Sequence, residues 1–237
     1  PSGQVCDKLE EISEIAKKYN LIILSDEIYS ELTFSKNFKS ISSYCPEKTI
    51  ISTGISKWCG AGGWRLGYFI IPDELNDIKN MINVLASETF SAVSAPVQYA
   101  AIKAYENDHS NYITKSVNIL SAVGKYVFSN LKSNKVLINQ PRGGFYLMPE
   151  FLNNKFKTSS DMCSDILNNT GVALLPGSDF GFSPDKMFAR LSFTDFDGQE
   201  FMNNIDATKK VDENLINMFA PKVVEGVNKL KNWSENL

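Results

Sequence analysis

The pattern of hydrophobic and polar positions divides the chain into segments with two different periods. Near the start, apolar side chains three or four positions apart predict an amphipathic helix, and helical segments recur before residue 133. Continuous apolar runs between these segments predict buried strands. The predicted helices are 5–19, 73–87, 95–107 and 110–132, and the predicted strands are 21–25, 49–52 and 66–71. The segment 31–46 has no clear period and is predicted to be a loop.

From Asn134 onward the pattern changes to short strands mixed with helices. Strands are predicted at 135–138, 144–148, 171–175 and 187–193, and helices at 159–168 and 214–233. Alternation of β and α segments followed by this mixture predicts an α/β fold, in which a doubly wound piece precedes a smaller α+β domain. We place the boundary so that residues 1–110 form the first domain and residues 111–237 form the second.

Composition and charge narrow the class of protein. The chain has 237 residues and a net charge of −3, so it lacks the basic surface expected of a nucleic-acid-binding protein. No apolar run is long enough for a membrane helix. Four scattered cysteines without a Cys-x-x-Cys pair predict reduced thiols in the cytoplasm and no metal site. The one histidine, His109, lies in a polar stretch and is predicted to be at the surface or to cap a helix.

A lysine in a loop of small residues is the strongest candidate for chemistry. The segment 52–67 reads STGISKWCGAGGWRLG, with Lys57 after an apolar run and Arg65 eight positions later. A lysine with a lowered pKa can condense with a carbonyl group, and serines, glycines and a guanidinium suit a phosphate. This combination indicates a Schiff base with pyridoxal 5'-phosphate. The alternative is an ordinary solvated lysine in a loop.

A second candidate follows the first predicted strand. Asp26 and Tyr29 come directly after the apolar run 21–24, and the carboxyl ends of strands are where open α/β sheets bind ligands. An acid is needed to keep the pyridine nitrogen of pyridoxal phosphate protonated, and a phenol can hydrogen-bond the oxygen on the same ring. The alternative is that Asp26 caps a helix and Tyr29 packs at its start.

Together these segments resemble the fold-type I pyridoxal-phosphate enzymes, in particular the class I/II aminotransferases. The resemblance runs through most of the chain in family order. It is carried by Pro1-Ser2-Gly3, Ser25-Asp26-Glu27-Ile28-Tyr29, Ser56-Lys57, Gly63-Trp64-Arg65-Leu66-Gly67-Tyr68, Gly143-Gly144-Phe145-Tyr146, Pro176-Gly177-Ser178 and Arg190-Leu191-Ser192-Phe193. It implies the C-terminal part of such an enzyme, beginning inside the Asn-Pro-(Ser/Thr)-Gly motif. Residues 1–110 would then be part of a large domain with a mixed, mostly parallel sheet.

The resemblance also assigns roles to single residues. It implies that Lys57 holds the cofactor and moves the substrate proton, that Asp26 pairs with the pyridine nitrogen, and that Tyr29 hydrogen-bonds the ring oxygen. It implies that Arg65 binds the phosphate and that Arg190 binds the α-carboxylate of the substrate, for which the planar guanidinium is suited.

One departure from the family concerns the phosphate. Many relatives have a serine three positions before the lysine, whereas this chain has Gly54. We expect the Gly54 amide, Ser56 or Ser52 to make the contact instead.

The resemblance implies transfer of an amino group between an amino acid and a 2-oxo acid by a cytoplasmic homodimer. Two alternatives stay open, namely a lyase of the same fold and a catalytically incomplete fragment. Many lyases and acyl transferases have histidine in place of Tyr29, which favours transamination. The amino acid substrate is not determined, and Arg142 is a candidate for a second carboxylate.

Overall fold

The computed structural model describes residues 2–35, 38–153 and 155–236, so Pro1 of the first motif lies outside the described residues. The chain forms two compact units. The first unit is Cys6–Ile113, and the second is Thr114–Leu237 together with Pro1–Val5. The N-terminal segment belongs to the second unit because the Gly3 carbonyl accepts a hydrogen bond from the Arg142 amide at 2.6 Å, and the Val5 carbonyl accepts one from the Arg142 guanidinium.

The first unit is built on a three-stranded sheet. Strand β2 (Thr49–Gly54) lies in the middle, parallel to β1 (Ile23–Asp26) and antiparallel to β3 (Gly67–Ile70). The prediction of three neighbouring strands in a mixed sheet is therefore confirmed. The helices of this unit are α1 (Leu9–Lys18), α2 (Asn76–Thr89) and α3 (Ala95–Glu106), and α4 (Ser110–Leu131) begins here and continues into the second unit.

The first unit leaves much apolar surface exposed. Among the described residues, 19 exposed large hydrophobic side chains lie in the first unit and 6 in the second. Leu24 is 65% exposed, so the prediction that its strand is buried on both faces is wrong. The described residues of this unit leave the side of β1 that carries Leu24 uncovered. Helix α2 contains no buried residue.

The second unit has a closed hydrophobic core. A three-stranded antiparallel sheet has the order β5-β8-β7, formed by Tyr146–Leu147, Ala189–Ser192 and Leu175–Pro176. A second ladder joins β4 (Val136–Leu137) to β6 (Glu150–Phe151). The remaining helices are α5 (Ser159–Thr170), α6 (Gly198–Asn203), α7 (Glu213–Phe219) and α8 (Pro221–Glu235). Fully buried side chains from these elements include Val123, Leu147, Phe151, Ile166, Phe201 and Leu230.

Local chemistry corrects two sequence predictions in this unit and explains one helix that the sequence pattern missed. The strand expected at 171–175 starts only at Leu175, because Gly171 ends α5 in a left-handed conformation with φ 73°. The helix expected at 214–233 is two helices, since Pro221 cannot continue α7 and instead opens α8. Helix α6 was not predicted, although Asp197 caps it by accepting from the Gln199 and Glu200 amides.

We expect substitution of Gly54 to loosen the sheet of the first unit. A Cβ at this position would lie 2.6 Å from the Leu66 carbonyl oxygen and 2.9 Å from the Gly67 Cα, both of which are backbone atoms. Gly54→Ala should cost about 1–3 kcal/mol, as overpacking does. Hydrogen exchange of the β2 amides measures the loss. Gly63→Ala is the matched control, because nothing lies within 4 Å of its added Cβ. Equal protection of β2 in both variants would contradict the close approach.

We also expect the exposed face of α2 to promote self-association. Val84 and Leu85 are both more than 60% exposed, and Val84→Lys with Leu85→Lys should lower binding of a hydrophobic dye and raise the monomer fraction in sedimentation. The control adds the same charge at polar positions of the same helix, Asn83→Lys with Ser87→Lys. If the control has the same effect, charge repulsion rather than the apolar surface governs association.

Candidate functional site

The carboxyl ends of β1 and β2 form one edge of the first sheet. Their parallel register pairs Asp26 with Ser52, and the Glu27 amide extends the ladder by donating to the Ser52 carbonyl at 2.9 Å. The Asp26 side chain is exposed, and its Oδ1 accepts a hydrogen bond from the Ile28 amide at 3.3 Å. Asp26 therefore lies at the carboxyl end of β1, level with Ser52 of β2. Two residues after Ser52, β2 ends at Gly54 and the lysine loop begins.

Glu27 stabilises this strand end, a role that the sequence reasoning missed. Its Oε1 accepts hydrogen bonds from Ser25 at 3.0 Å and from Ser40 at 2.6 Å. Ser40 in turn caps the short 3-10 helix 41–43 by accepting from the Ser42 amide. The available signal was Ser25 two positions before Glu27, which allows a local hydrogen bond, but the partner at Ser40 is distant in sequence.

The structure brings Lys57 and Tyr29 together. The Lys57 ammonium nitrogen lies 5.9 Å from the centroid of the Tyr29 ring, within the range of a cation–π contact. Lys57 is half-buried and follows β2 by three residues, whereas Tyr29 follows β1 by three residues. Both side chains thus come from the loops that leave the same edge of the sheet as Asp26.

An aromatic cluster anchors the lysine loop. Trp58, next to Lys57, is 7% exposed, and its ring centroid lies 5.6 Å from that of Tyr105 and 5.8 Å from that of His109. Tyr68 meets Tyr105 edge-on at 5.7 Å. Burial, followed by the hydrogen bond with Tyr105, raises the pKa of Tyr68 well above its usual range, so this phenol stays neutral. The buried Trp58 ring, with the aromatic rings packed on it, fixes the backbone from which Lys57 projects.

His109 is more buried than the sequence suggested. It directly precedes α4, and its carbonyl accepts the Ile113 amide, as expected of a helix start. Its ring, however, packs on Trp58, and its Nε2 is buried without a hydrogen-bond partner among the described residues. Burial raises the pKa of the thiol of Cys59, the residue after Trp58, which keeps this thiol protonated.

Arg65 is positioned by an unusual backbone conformation. Its φ of 56° and ψ of 48° are left-handed, although it is not a glycine. Its guanidinium donates to the Gly62 carbonyl at 2.7 Å, closing the turn that precedes β3. Gly54 pairs with Gly67 across the same turn, and the close backbone approach there leaves no room for a serine side chain. Ser56, one residue before Lys57, is half-buried.

Arg190 lies in the second unit, on β8. The strand alternates, with Ala189, Leu191 and Phe193 buried and Arg190 directed to the opposite, half-exposed face. The Arg190 Cζ lies 4.4 Å from the ring centroid of Tyr146 and 4.4 Å from that of Phe180. Arg142 is exposed, and its guanidinium donates to the Val5 carbonyl at 3.3 Å.

Residues 2–35, 38–153 and 155–236 contain no group of three or more His, Cys, Asp or Glu side chains that could hold a metal ion. No helix there is both long and apolar enough to cross a membrane.

The matches of this chain to known proteins all indicate the same family. The family model described as aminotransferase class I and II matches residues 1–205. A probable N-acetyl-LL-diaminopimelate aminotransferase of Bacillus subtilis is 33% identical over 187 residues, which are 79% of this chain and 46% of that protein. An aspartate aminotransferase of Thermotoga maritima is 34% identical over 200 residues, covering 81% of this chain and 48% of that protein.

Solved structures agree with this assignment. The crystal structure of aspartate aminotransferase from Thermotoga maritima superposes with a TM-score of 0.74 at 28% identity, covering 99% of this chain and 54% of that one. Alanine aminotransferase from Pyrococcus furiosus gives a TM-score of 0.80 at 25% identity, and the match covers 100% of this chain and 56% of that one. The chain spans about half the length of the curated relatives it matches. By its family match and its fold, the chain belongs to the class I and II aminotransferases.

Proposed function

We propose that this chain contributes the cofactor-holding lysine and the carboxylate-binding arginine of an aminotransferase, which moves an amino group between an amino acid and a 2-oxo acid. The observation that carries the proposal is the convergence of Lys57, Tyr29 and Asp26 at one edge of the first sheet. An amine, a phenol and a carboxylate at this edge are the groups that pyridoxal 5'-phosphate, the cofactor implied by the family, requires around its ring.

The residues of the first unit fit this cofactor by their chemistry. Lys57 supplies an amine for the cofactor's carbonyl, Asp26 a carboxylate for the pyridine nitrogen, and Tyr29 a phenol for the ring oxygen. The Arg65 guanidinium and Ser56 supply donors for the phosphate, since Gly54 has no space for a side chain. When bound, pyridoxal phosphate supplies an electron sink for the substrate's α-carbon.

The chain's own residues then have separate tasks. Lys57 takes the proton from the substrate α-carbon as a general base and, as an acid, would then return it to the carbonyl carbon of the cofactor. Trp58, buried among Tyr105 and His109, keeps the lysine loop in place. Asp26 stabilises a proton on the ring nitrogen, and it is exposed toward the sheet edge rather than buried in a side-chain network.

Arg190 binds the α-carboxylate in this proposal. The guanidinium is half-buried, and a planar fork of N–H donors recognises a carboxylate bidentately. Matched relatives are named aspartate, tyrosine and N-acetyl-LL-diaminopimelate aminotransferases, so the family match leaves the side-chain specificity open. Arg142 already donates to the Val5 carbonyl, which favours a structural role over binding of a second carboxylate.

The protein is further proposed to act as a cytoplasmic homodimer. Cys6, Cys45, Cys59 and Cys163 are all unpaired, which suits a reducing compartment. The exposed apolar side chains of the first unit offer surface for another chain to cover.

A second candidate is that the chain alone holds an incomplete site. Two observations favour it. The chain covers 46–57% of the length of the relatives and solved structures it matches, and the first unit leaves its sheet edges and α2 uncovered by described residues. Cofactor binding by this chain distinguishes the two candidates.

Lys57→Ala should abolish covalent cofactor binding. On addition of pyridoxal phosphate, the chain should gain absorbance near the visible edge, and borohydride reduction should fix the cofactor to the peptide that contains Lys57. The variant should show neither signal. Lys79→Ala, an exposed lysine on α2, is the control and should behave as the unaltered chain. Fixation on other lysines only would contradict the proposal. If this chain stays unlabelled while a longer protein that contains it is labelled at Lys57, the incomplete-site candidate is supported.

Transamination should form glutamate from 2-oxoglutarate with alanine, aspartate or tyrosine as donor. The amino group is conserved in this reaction, so each glutamate formed must match one 2-oxo acid released from the donor. Chromatography of both products measures this balance, and Lys57→Ala serves as the blank. Release of pyruvate and ammonia without new glutamate would identify a lyase and refute transamination.

A further inference from the structure

Arg190 contacts one aromatic side chain from β5 and one from the turn that follows β7, the two strands that flank β8. The register pairs Tyr146 of β5 with Ser192, so Tyr146 is the diagonal neighbour of Arg190 on the same face of the sheet. On the other side, β7 ends at Pro176 and leads into the turn 177–180 that carries Phe180. Each ring therefore reaches Arg190 from a different neighbouring strand.

The two contacts are equally close. The Arg190 Cζ lies over both rings, 4.4 Å from each centroid, well within the range of about 6 Å for a cation–π interaction. A guanidinium is planar and its five N–H donors lie in its plane. The two rings therefore restrict the guanidinium at its central carbon, while its in-plane donors are left for a carboxylate.

The position of Phe180 is itself constrained. The turn begins at Gly177, where an added Cβ would lie 2.6 Å from the Phe188 Cβ and 3.0 Å from the Phe188 carbonyl oxygen. The Gly177 amide donates to that carbonyl at 2.7 Å. The turn is thus tied tightly to the strand region that precedes β8, which limits how far Phe180 can move from Arg190.

Arg190 differs from the two other arginines of the chain. Arg65 donates to the Gly62 carbonyl and Arg142 to the Val5 carbonyl. For Arg190, the described residues of its own unit provide ring contacts but no hydrogen-bond acceptor or carboxylate. The two rings therefore orient the Arg190 side chain, while its N–H donors remain available for a ligand.

We propose that Tyr146 and Phe180 are positioning residues, which hold the Arg190 guanidinium by its faces so that its edge is preorganised for the substrate carboxylate. This inference rests on the proposed role of Arg190 in carboxylate binding. Without the rings, Arg190 has to be immobilised when the carboxylate binds, so affinity falls while the charge is unchanged.

Nitrogen-15 NMR of the full chain tests this directly, because the sequence contains only three arginines and therefore three Nε–Hε signals. Arg190→Lys assigns the Arg190 signal. Ring currents from the two aromatic rings should displace it from the signals of Arg65 and Arg142. Titration with propionate should shift it further, and propionamide, the uncharged isostere, should not.

Phe180→Leu and Tyr146→Leu should each move the Arg190 signal back toward the other two and weaken propionate binding roughly two- to tenfold, the cost of ordering one flexible side chain. Phe180→Tyr and Tyr146→Phe keep a ring and should restore the affinity. Phe182→Leu is the matched control, because its ring packs on Phe188 at 4.3 Å. An unchanged Arg142 signal checks that the fold is intact.

The outcomes separate this inference from the proposed function. If propionate leaves the Arg190 signal of the unaltered chain unmoved, both the carboxylate role of Arg190 and the positioning role are overturned. If propionate binds but both leucine variants bind it as tightly as the unaltered chain, the positioning role alone is overturned. An Arg190 signal that coincides with those of Arg65 and Arg142 in the unaltered chain also overturns it, without requiring any ring variant to fold.

Discussion

The parallel pairing of β1 with β2 is the constraint on which the candidate cofactor site depends. Parallel strands end at the same edge of a sheet, and the register from Ile23 and Thr49 to Asp26 and Ser52 fixes how the two ends align. Asp26 and the start of the lysine loop are thereby set by backbone hydrogen bonds rather than by side-chain contacts. The side chains of Glu27 and Trp58 then hold the two loops that leave this edge.

The placement of Asp26 and Lys57 after neighbouring strand ends was predictable, because their order along the chain reflects this geometry. An apolar run followed by Asp26, and a second run followed by Lys57, predict adjacent strand ends once a parallel sheet is inferred. The sequence did not reveal the anchors, since Ser40, Tyr105 and Phe180 are brought to their partners by tertiary packing. Nor did hydrophobic periodicity detect the left-handed Gly171 that delays β7, or the break at Pro221, because periodicity does not register backbone conformation.

The two units differ in how much of their own apolar surface they bury. In the second unit, α4, α5 and α8 enclose side chains such as Val123, Ile166 and Leu230 with almost no exposure. In the first, hydrophobic residues of β1 and α2 face outward, so less of the free energy of folding comes from burial within the unit. The relatives are about twice as long as this chain. Exposed apolar surface of this extent is where further chain could pack, as the proposed candidate of an incomplete site expects.

In the proposed function, Arg65 and Arg190 each direct a guanidinium at an anion, and the structure orients the two side chains in different ways. Arg65 is directed by its backbone, whose left-handed conformation costs about 1–2 kcal/mol for a residue with a Cβ. That strain is tolerated because the turn is closed by the Gly62 carbonyl and followed directly by the pairing of β3 with β2. Arg190 has an ordinary strand backbone and is instead directed by two rings. In that function, the backbone of Arg65 would suit a permanently held phosphate, since the cost is met once on folding. The rings beside Arg190 would suit a carboxylate that binds and leaves in every catalytic cycle, because they preserve the orientation of the guanidinium while the site is empty.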